Sequence, residues 1–133
     1  MSNISTTNID TSPVFIEQGT FEDGVLTLAG AATVKAGTIL AVDSSTQKYV
    51  LFVKGGNTNE NGIPKAVLTY DLVATGAGDR PVRVGLAGDV RLDKLIINAD
   101  GDNSNVDKTV MDQLRDYGIV VRTVKNLSSL DNQ

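Results

Sequence analysis

Pro81-Val82-Arg83-Val84-Gly85-Leu86-Ala87-Gly88-Asp89-Val90-Arg91-Leu92 alternates apolar and polar side chains. Successive side chains of an extended strand point to opposite faces, so this alternation marks a β-strand with one buried side. Val82, Val84, Leu86, Val90 and Leu92 are expected to share the buried face, and Arg83, Asp89 and Arg91 the exposed one. Gly85 and Gly88 interrupt the run and predict a bend or a bulge. The preceding stretch behaves alike. Between Ile63 and Thr75, Ala66, Leu68, Tyr70, Leu72 and Ala74 alternate with Val67, Thr69, Asp71, Val73 and Thr75, and Pro64 suits the start of a strand. Gly76-Ala77-Gly78-Asp79 then reads as a turn. A dinucleotide loop at Gly76 to Arg80 is excluded, because a third glycine is missing and a strand, not a helix, follows.

Further out, Val25 to Leu28, Thr38 to Val42 and Lys48 to Val53 are short runs rich in Val, Ile and Leu, punctuated by Gly24, Gly30 and Gly37. Asp43-Ser44-Ser45-Thr46-Gln47 lies between two of them as a hairpin turn. Gly55 to Gly62 is a surface loop, and its closing Asn61-Gly62 pair suits positive φ and a tight reversal. Val106, Val110, Leu114 and Tyr117, with Met111 beside them, recur at helical spacing. Asp107 or Asn105 caps that helix, Gly118 occupies its left-handed C′ position, and Lys108, Asp112 and Arg115 pair on its solvent face. Ile119 to Val124 reads as a last strand. The fold class is mainly β (α+β), with one principal helix near the C-terminus.

The chain has 133 residues, enough for one domain. It contains no Cys and no His, which removes disulfides, thiolate nucleophiles, Cys/His zinc sites and imidazole catalysis together. The net charge of −4 argues against a nucleic-acid binder, which needs a basic face to displace counterions. No stretch approaches the length of a membrane helix, and Met1 to Asp10, polar and without a basic residue, is neither a signal nor a transit peptide. Synthesis in the cytoplasm is expected. Asp100, Asp102, Ser104 and Asp107 resemble a calcium loop in composition but not in position. Asn105 stands where such a loop needs Gly, and Met111 where it needs a bidentate Glu, so a chelator is expected to leave the melting temperature unchanged. Glu17, Glu22 and Glu60 fall in arm or loop segments and form no catalytic carboxylate pair on an apolar platform. No enzyme, no cofactor, no metal and no small-molecule substrate are expected. Arg80, Arg83, Arg91 and Lys94 are interleaved with Asp79, Asp89 and Asp93, so their charge nearly cancels. Either this is a mixed-sign solvated face, or Arg83, Asp89 and Arg91 form a subunit interface whose opposite charges set register.

Residues 1–19 differ from the rest. Ser, Thr and Asn dominate up to Ser12, and no Lys or Arg occurs before Lys35. Ile4 and Ile9 precede the apolar cluster Pro13-Val14-Phe15-Ile16. One reading is a frayed terminus whose Phe15 tucks onto its own domain. The other is a flexible arm that orders on a partner's sheet edge, with Ile4, Ile9, Pro13, Val14, Phe15 and Ile16 as its anchors. On the second reading, deleting Met1 to Gln18 leaves the domain folded, and Phe15→Ala weakens binding with little effect on the melting temperature. A β-rich domain over 20–124 and a loose tail over 125–133 complete the expected organisation.

Ala36 to Asp43, then Gln47-Lys48-Tyr49-Val50, a Gly/Asn loop, Ala66-Val67-Leu68, Val82 to Val90 and the block from Met111 to Val124 resemble the head decoration proteins of tailed phages, the lambda-type capsid stabilisers. Pro64 departs from the Gly and aliphatic residues many members carry there, which leaves the pairing of that strand's start open. The resemblance implies a β-tulip or β-clip fold and a homotrimer at three-fold positions on the outer surface of an expanded capsid. It also implies cementing of major capsid protein subunits, the arm joining the capsid by strand addition. The competing expectation is a monomeric β-domain adaptor that binds a protein or glycan through the face carrying Arg83 and Arg91.

Overall fold

The computed structural model describes residues 14–15 and 19–123. Eight strands form in chain order: β1 (Thr20–Leu28), β2 (Ala32–Val34), β3 (Ile39–Val42), β4 (Tyr49–Leu51), β5 (Ala66–Leu68), β6 (Leu72–Ala74), β7 (Gly78–Arg91) and β8 (Ile119–Arg122). Helix α1 (Lys108–Asp116) lies between β7 and β8. The main sheet runs β1-β4-β3-β5-β7-β8, and β1 also pairs with β7, which closes the first five of these strands into a barrel. Closure leaves few free edges. β2 and β6 form a separate two-stranded sheet.

Two apolar cores result, one on each side of the barrel wall. Inside are Leu26, Leu28, Leu40, Tyr49, Leu68, Val82 and Val84, with Val34 and Ala74 contributed by the small sheet. Outside, Ile39 and Val67 project from the same strands into a second core completed by Val90, Leu95, Ile97, Val110, Leu114 and Ile119. Neighbours such as Ile39 and Leu40, or Val67 and Leu68, thus go to opposite cores and both are fully buried. Ala41 and Ala66 are fully buried as well, so these wall strands read as continuous apolar runs.

β7 does not keep one apolar face along its length. Thr20 pairs with Ala87 but Phe21 with Gly85, so β7 carries one extra residue there. Beyond it Gly88 adopts φ 126°, a left-handed value that suits glycine. The bulge reverses the alternation: Val82 and Val84 enter the barrel, with Leu86 packed against that core, whereas Val90 and Leu92 join the outer core. The single apolar face expected from Val82 to Leu92 is therefore split in two. β7 also exchanges neighbours here, leaving β5 at Val84 and Gly85 to pair in parallel with β8 from Gly88 to Arg91.

The run from Ile63 to Thr75 is likewise two strands, not one. β5 sits in the barrel wall, and β6 pairs with β2 after the exposed Tyr70 and Asp71. The Asp71 carboxylate accepts from the Ala36 amide at 2.8 Å, fastening the turn. Pro64 precedes β5, and pairing starts directly after it, where the Lys65 amide donates to the Leu40 carbonyl at 2.9 Å. The hairpin at Asp43 to Gln47 forms as expected, its turn held by Asp43 Oδ1, which accepts from the Ser45 amide and hydroxyl. In the loop from Gly55 to Gly62 the positive φ falls at Gly55, Asn59 and Glu60, not at the closing Asn61-Gly62 pair. Asp107 caps α1, accepting from the Val110 amide at 3.1 Å, and Gly118 follows the C-cap at φ 100°. Lys108 and Arg115 both pair with Asp112 on the outer face. Val124 and residues 125–133 lie outside the described residues.

Candidate functional site

The sequence pointed to two surfaces, and the structure treats them differently. Of the arm residues, Ile4, Ile9, Pro13 and Ile16 lie outside the described residues. Val14 and Phe15 are each only 7% exposed and belong to the outer core. Phe15 bridges Val90 in antiparallel fashion, and the Val14 carbonyl accepts from the Arg91 amide at 3.0 Å. The Phe15 ring meets Phe21 edge-on with centroids 5.1 Å apart, a favoured aromatic geometry. Its other contact is the bare backbone of Gly85, where any Cβ would penetrate the ring. Phe15 thus tucks onto its own domain. Of the reading that deletion of Met1 to Gln18 leaves the domain untouched, the described residues correct one point: that deletion removes two core side chains, Val14 and Phe15.

Arg83, Asp89 and Arg91 do not share a face, because the bulge lies between them. Arg83 stands opposite Val84 on the outside of the barrel, beside Phe21 at 5.7 Å and paired with Asp23 at 3.2 Å. Asp89 pairs with Arg122 of β8, and Arg91 binds Asp93 through two nitrogens at 2.9 and 3.1 Å. These pairs are exposed or partly so, and Arg83–Asp23 and Arg122–Asp89 tie neighbouring strands together.

Next to Val14 lies an open cleft of about 400 Å³, lined by Lys35, Ala36, Asp71, Asp93, Lys94 and Asp102 among others. Asp102 is held below the ordinary carboxylate range by the hydroxyl and amide of Ser104. The same direction holds for Asp43, Asp79, Asp107 and Asp112, the first bound by Ser45 and the others by Lys48, Lys54 and Lys108. Proton donation at neutral pH needs the opposite shift. Among the described residues no group of three or more acidic side chains is placed to hold a metal ion, and no helix is long and apolar enough to cross a membrane.

Sequence reasoning missed the pocket for Phe15. Its trace in the sequence is Gly85, a glycine inside a strand, which marks a close approach of another group as readily as a bend. Gly19 does the same from the other side, where a Cβ would come within 3.1 Å of the Phe15 ring.

A closed barrel and a second core on its wall, which takes in Val14 and Phe15, define a small β module. The profile of the Bacteriophage lambda head decoration protein D family matches residues 8–119, and the chain belongs to that family. It is accordingly a structural head protein of a phage virion that binds the capsid. No curated protein sequence matches the chain.

Proposed function

We propose that this protein binds the outer surface of an expanded head as a homotrimer at three-fold positions and cements neighbouring subunits of the major capsid protein. The segment N-terminal to Val14 is its capsid-binding arm, which orders by adding a strand to a capsid sheet. The protein is made in the host cytoplasm and acts without catalysis, cofactor, nucleic acid, membrane or small-molecule substrate. The observation that supports this reading is the antiparallel bridge of Phe15 to Val90, which roots Val14 and Phe15 on the outer core next to the proposed arm.

The energetics suit a cement. A ligand that binds only the mature shell stabilises it by mass action. Each backbone hydrogen bond of an added strand contributes about 0.5–1.5 kcal/mol, less the cost of ordering the arm. In a trimer the second and third arms bind at high effective concentration once the first is seated. The adaptor reading required Arg83 and Arg91 on one face, and they lie on two.

The test is co-sedimentation with undecorated, expanded capsids. A variant lacking residues 1–13 keeps Val14 and Phe15, melts as the full chain does, and stays in the supernatant, whereas the full chain pellets and appears in threes on the shell. A shortened variant that still decorates normally removes the arm from the mechanism.

A further inference from the structure

We propose that Phe15 and Gly85 form a latch that fixes where the arm leaves the domain, which makes Phe15 a positioning residue for capsid binding. This rests on residues 1–13 being the capsid-binding arm, and it adds a role for the segment that immediately follows them.

The latch is assembled from independent contacts on one short stretch of β7. Phe15 occupies the space that Gly85 leaves empty, between Phe21 and the backbone near Gly19. One residue earlier, the Val14 carbonyl is tied to the Arg91 amide, and Val14 packs near Gly37. Gly85 itself lies in ordinary backbone geometry, paired with both Phe21 and Val67. Its lack of a side chain therefore serves the ring of Phe15 and no turn. A residue kept small inside a barrel wall to admit a side chain from the start of the chain is a docking slot.

Latching shortens the tether and gives it a direction. With the latch closed, the tether counted back from Val14 has 13 residues; with it open, the tether lengthens to about 18. Effective concentration falls roughly as the −3/2 power of tether length, so the second and third arms each lose about 1.6-fold and the trimer about threefold. Loss of the fixed exit direction adds to this. The latch thus converts core packing in the domain into affinity for the shell without itself touching the capsid.

The experiment pairs native-state amide exchange with capsid affinity in Gly85→Ala, Phe15→Ala and the variant lacking residues 1–13. Gly85→Ala expels the ring by steric clash, and Phe15→Ala empties the slot without strain, so one of the two remains informative if the other folds poorly. The Arg91 amide reads the latch directly, and the Leu68 amide, bonded to the Thr38 carbonyl, reads the barrel. In both variants protection at Arg91 is expected to fall about tenfold or more beyond any fall at Leu68, which follows global stability; the excess is the signature of local opening. Capsid affinity is expected to fall about threefold or more. Unchanged Arg91 exchange in the variants overturns the latch. Faster exchange with unchanged capsid affinity overturns its role in positioning. Loss of binding on deleting residues 1–13, with Arg91 still protected, upholds the arm and leaves the latch to be judged on the point variants alone. Full binding after that deletion refutes the arm and the positioning role with it.

Discussion

Phe15 shows how a single residue changes meaning once its neighbours are known. In sequence it belongs to a polar terminus and reads either as an anchor offered to a partner or as a side chain tucked onto its own domain. In the fold its ring is buried, so truncating it empties a slot in the outer core. Phe15→Ala is therefore expected to lower stability by about 3 kcal/mol, the low end for a buried phenylalanine, because the chain end can relax. Thermal or denaturant unfolding of the free protein checks this, and a melting temperature equal to that of the parent would return Phe15 to the arm. Tyr49 offers a second residue-scale test. Its hydroxyl donates to Glu22 Oε1 at 2.7 Å, while its ring lies against Gly24. Burial first, and the Glu22 carboxylate second, push its pKa above the ordinary value near 10. The folded state thus favours the neutral phenol. Its contribution is complete below about pH 10 and is lost as the pH climbs toward the raised folded value. The melting temperature of the parent should fall more steeply above about pH 10 than that of Tyr49→Phe, which removes the titrating group. At neutral pH the same variant should cost about 1 kcal/mol for the lost hydrogen bond. Parallel alkaline curves for the two proteins would contradict the assignment.

At the scale of elements, strand β7 explains what the sequence reveals and what it hides. Alternation from Pro81 to Leu92 correctly marks a strand, and its two glycines correctly mark a bulge. What alternation alone does not register is that one extra residue inverts every side chain after it. Val90 and Leu92 are therefore assigned to the wrong core, and Arg83 to the same face as Arg91, although the residue types are read correctly. The strands β5 and β6 fail for a related reason: a turn at Thr69 to Asp71 that keeps the alternation in phase is invisible to it. Helix α1 is legible to its caps because a helix end is specified locally, by Asp107 and Gly118. The small strand β2 has three residues and makes sense only beside β6, so nothing local announces it. The bulge is also the element most exposed to backbone strain. Gly88→Ala places an L side chain at φ 126° and is expected to cost about 1–3 kcal/mol. Gly30→Ala, where a Cβ meets nothing within 4 Å, should be neutral or slightly stabilising. Equal unfolding midpoints for these two variants would mean that the bulge conformation is not enforced by Gly88.

For the whole molecule, charge separates two ways of binding a shell. Several acids and bases among the described residues pair with one another: Lys48 with Asp79, Lys54 with Asp107, Arg83 with Asp23, Arg91 with Asp93 and Arg122 with Asp89. The first 18 residues carry Asp10 and Glu17 and no cation. A cement that works through the arm must therefore draw on backbone hydrogen bonds and the burial of Ile4 and Ile9, neither of which salt screens. Salt strengthens apolar burial slightly if it acts at all. Between about 0.05 M and about 0.5 M sodium chloride the screening length shrinks from roughly 14 to roughly 4 Å, which removes most long-range attraction between exposed charges. Capsid affinity is expected to change by less than about threefold over that range if the arm carries binding. A charged face acting as the adhesive predicts the opposite, a loss of tenfold or more over the same interval. The measurement is a binding isotherm on undecorated capsids at each ionic strength, taken well below the melting temperature so that exposed ion pairs within the domain do not contribute. A steep loss would transfer the interface from the arm to the charged surfaces around Arg83 or Arg91. The bulge separates those two positions, so charge reversal at each in turn would then identify which side of β7 meets the shell.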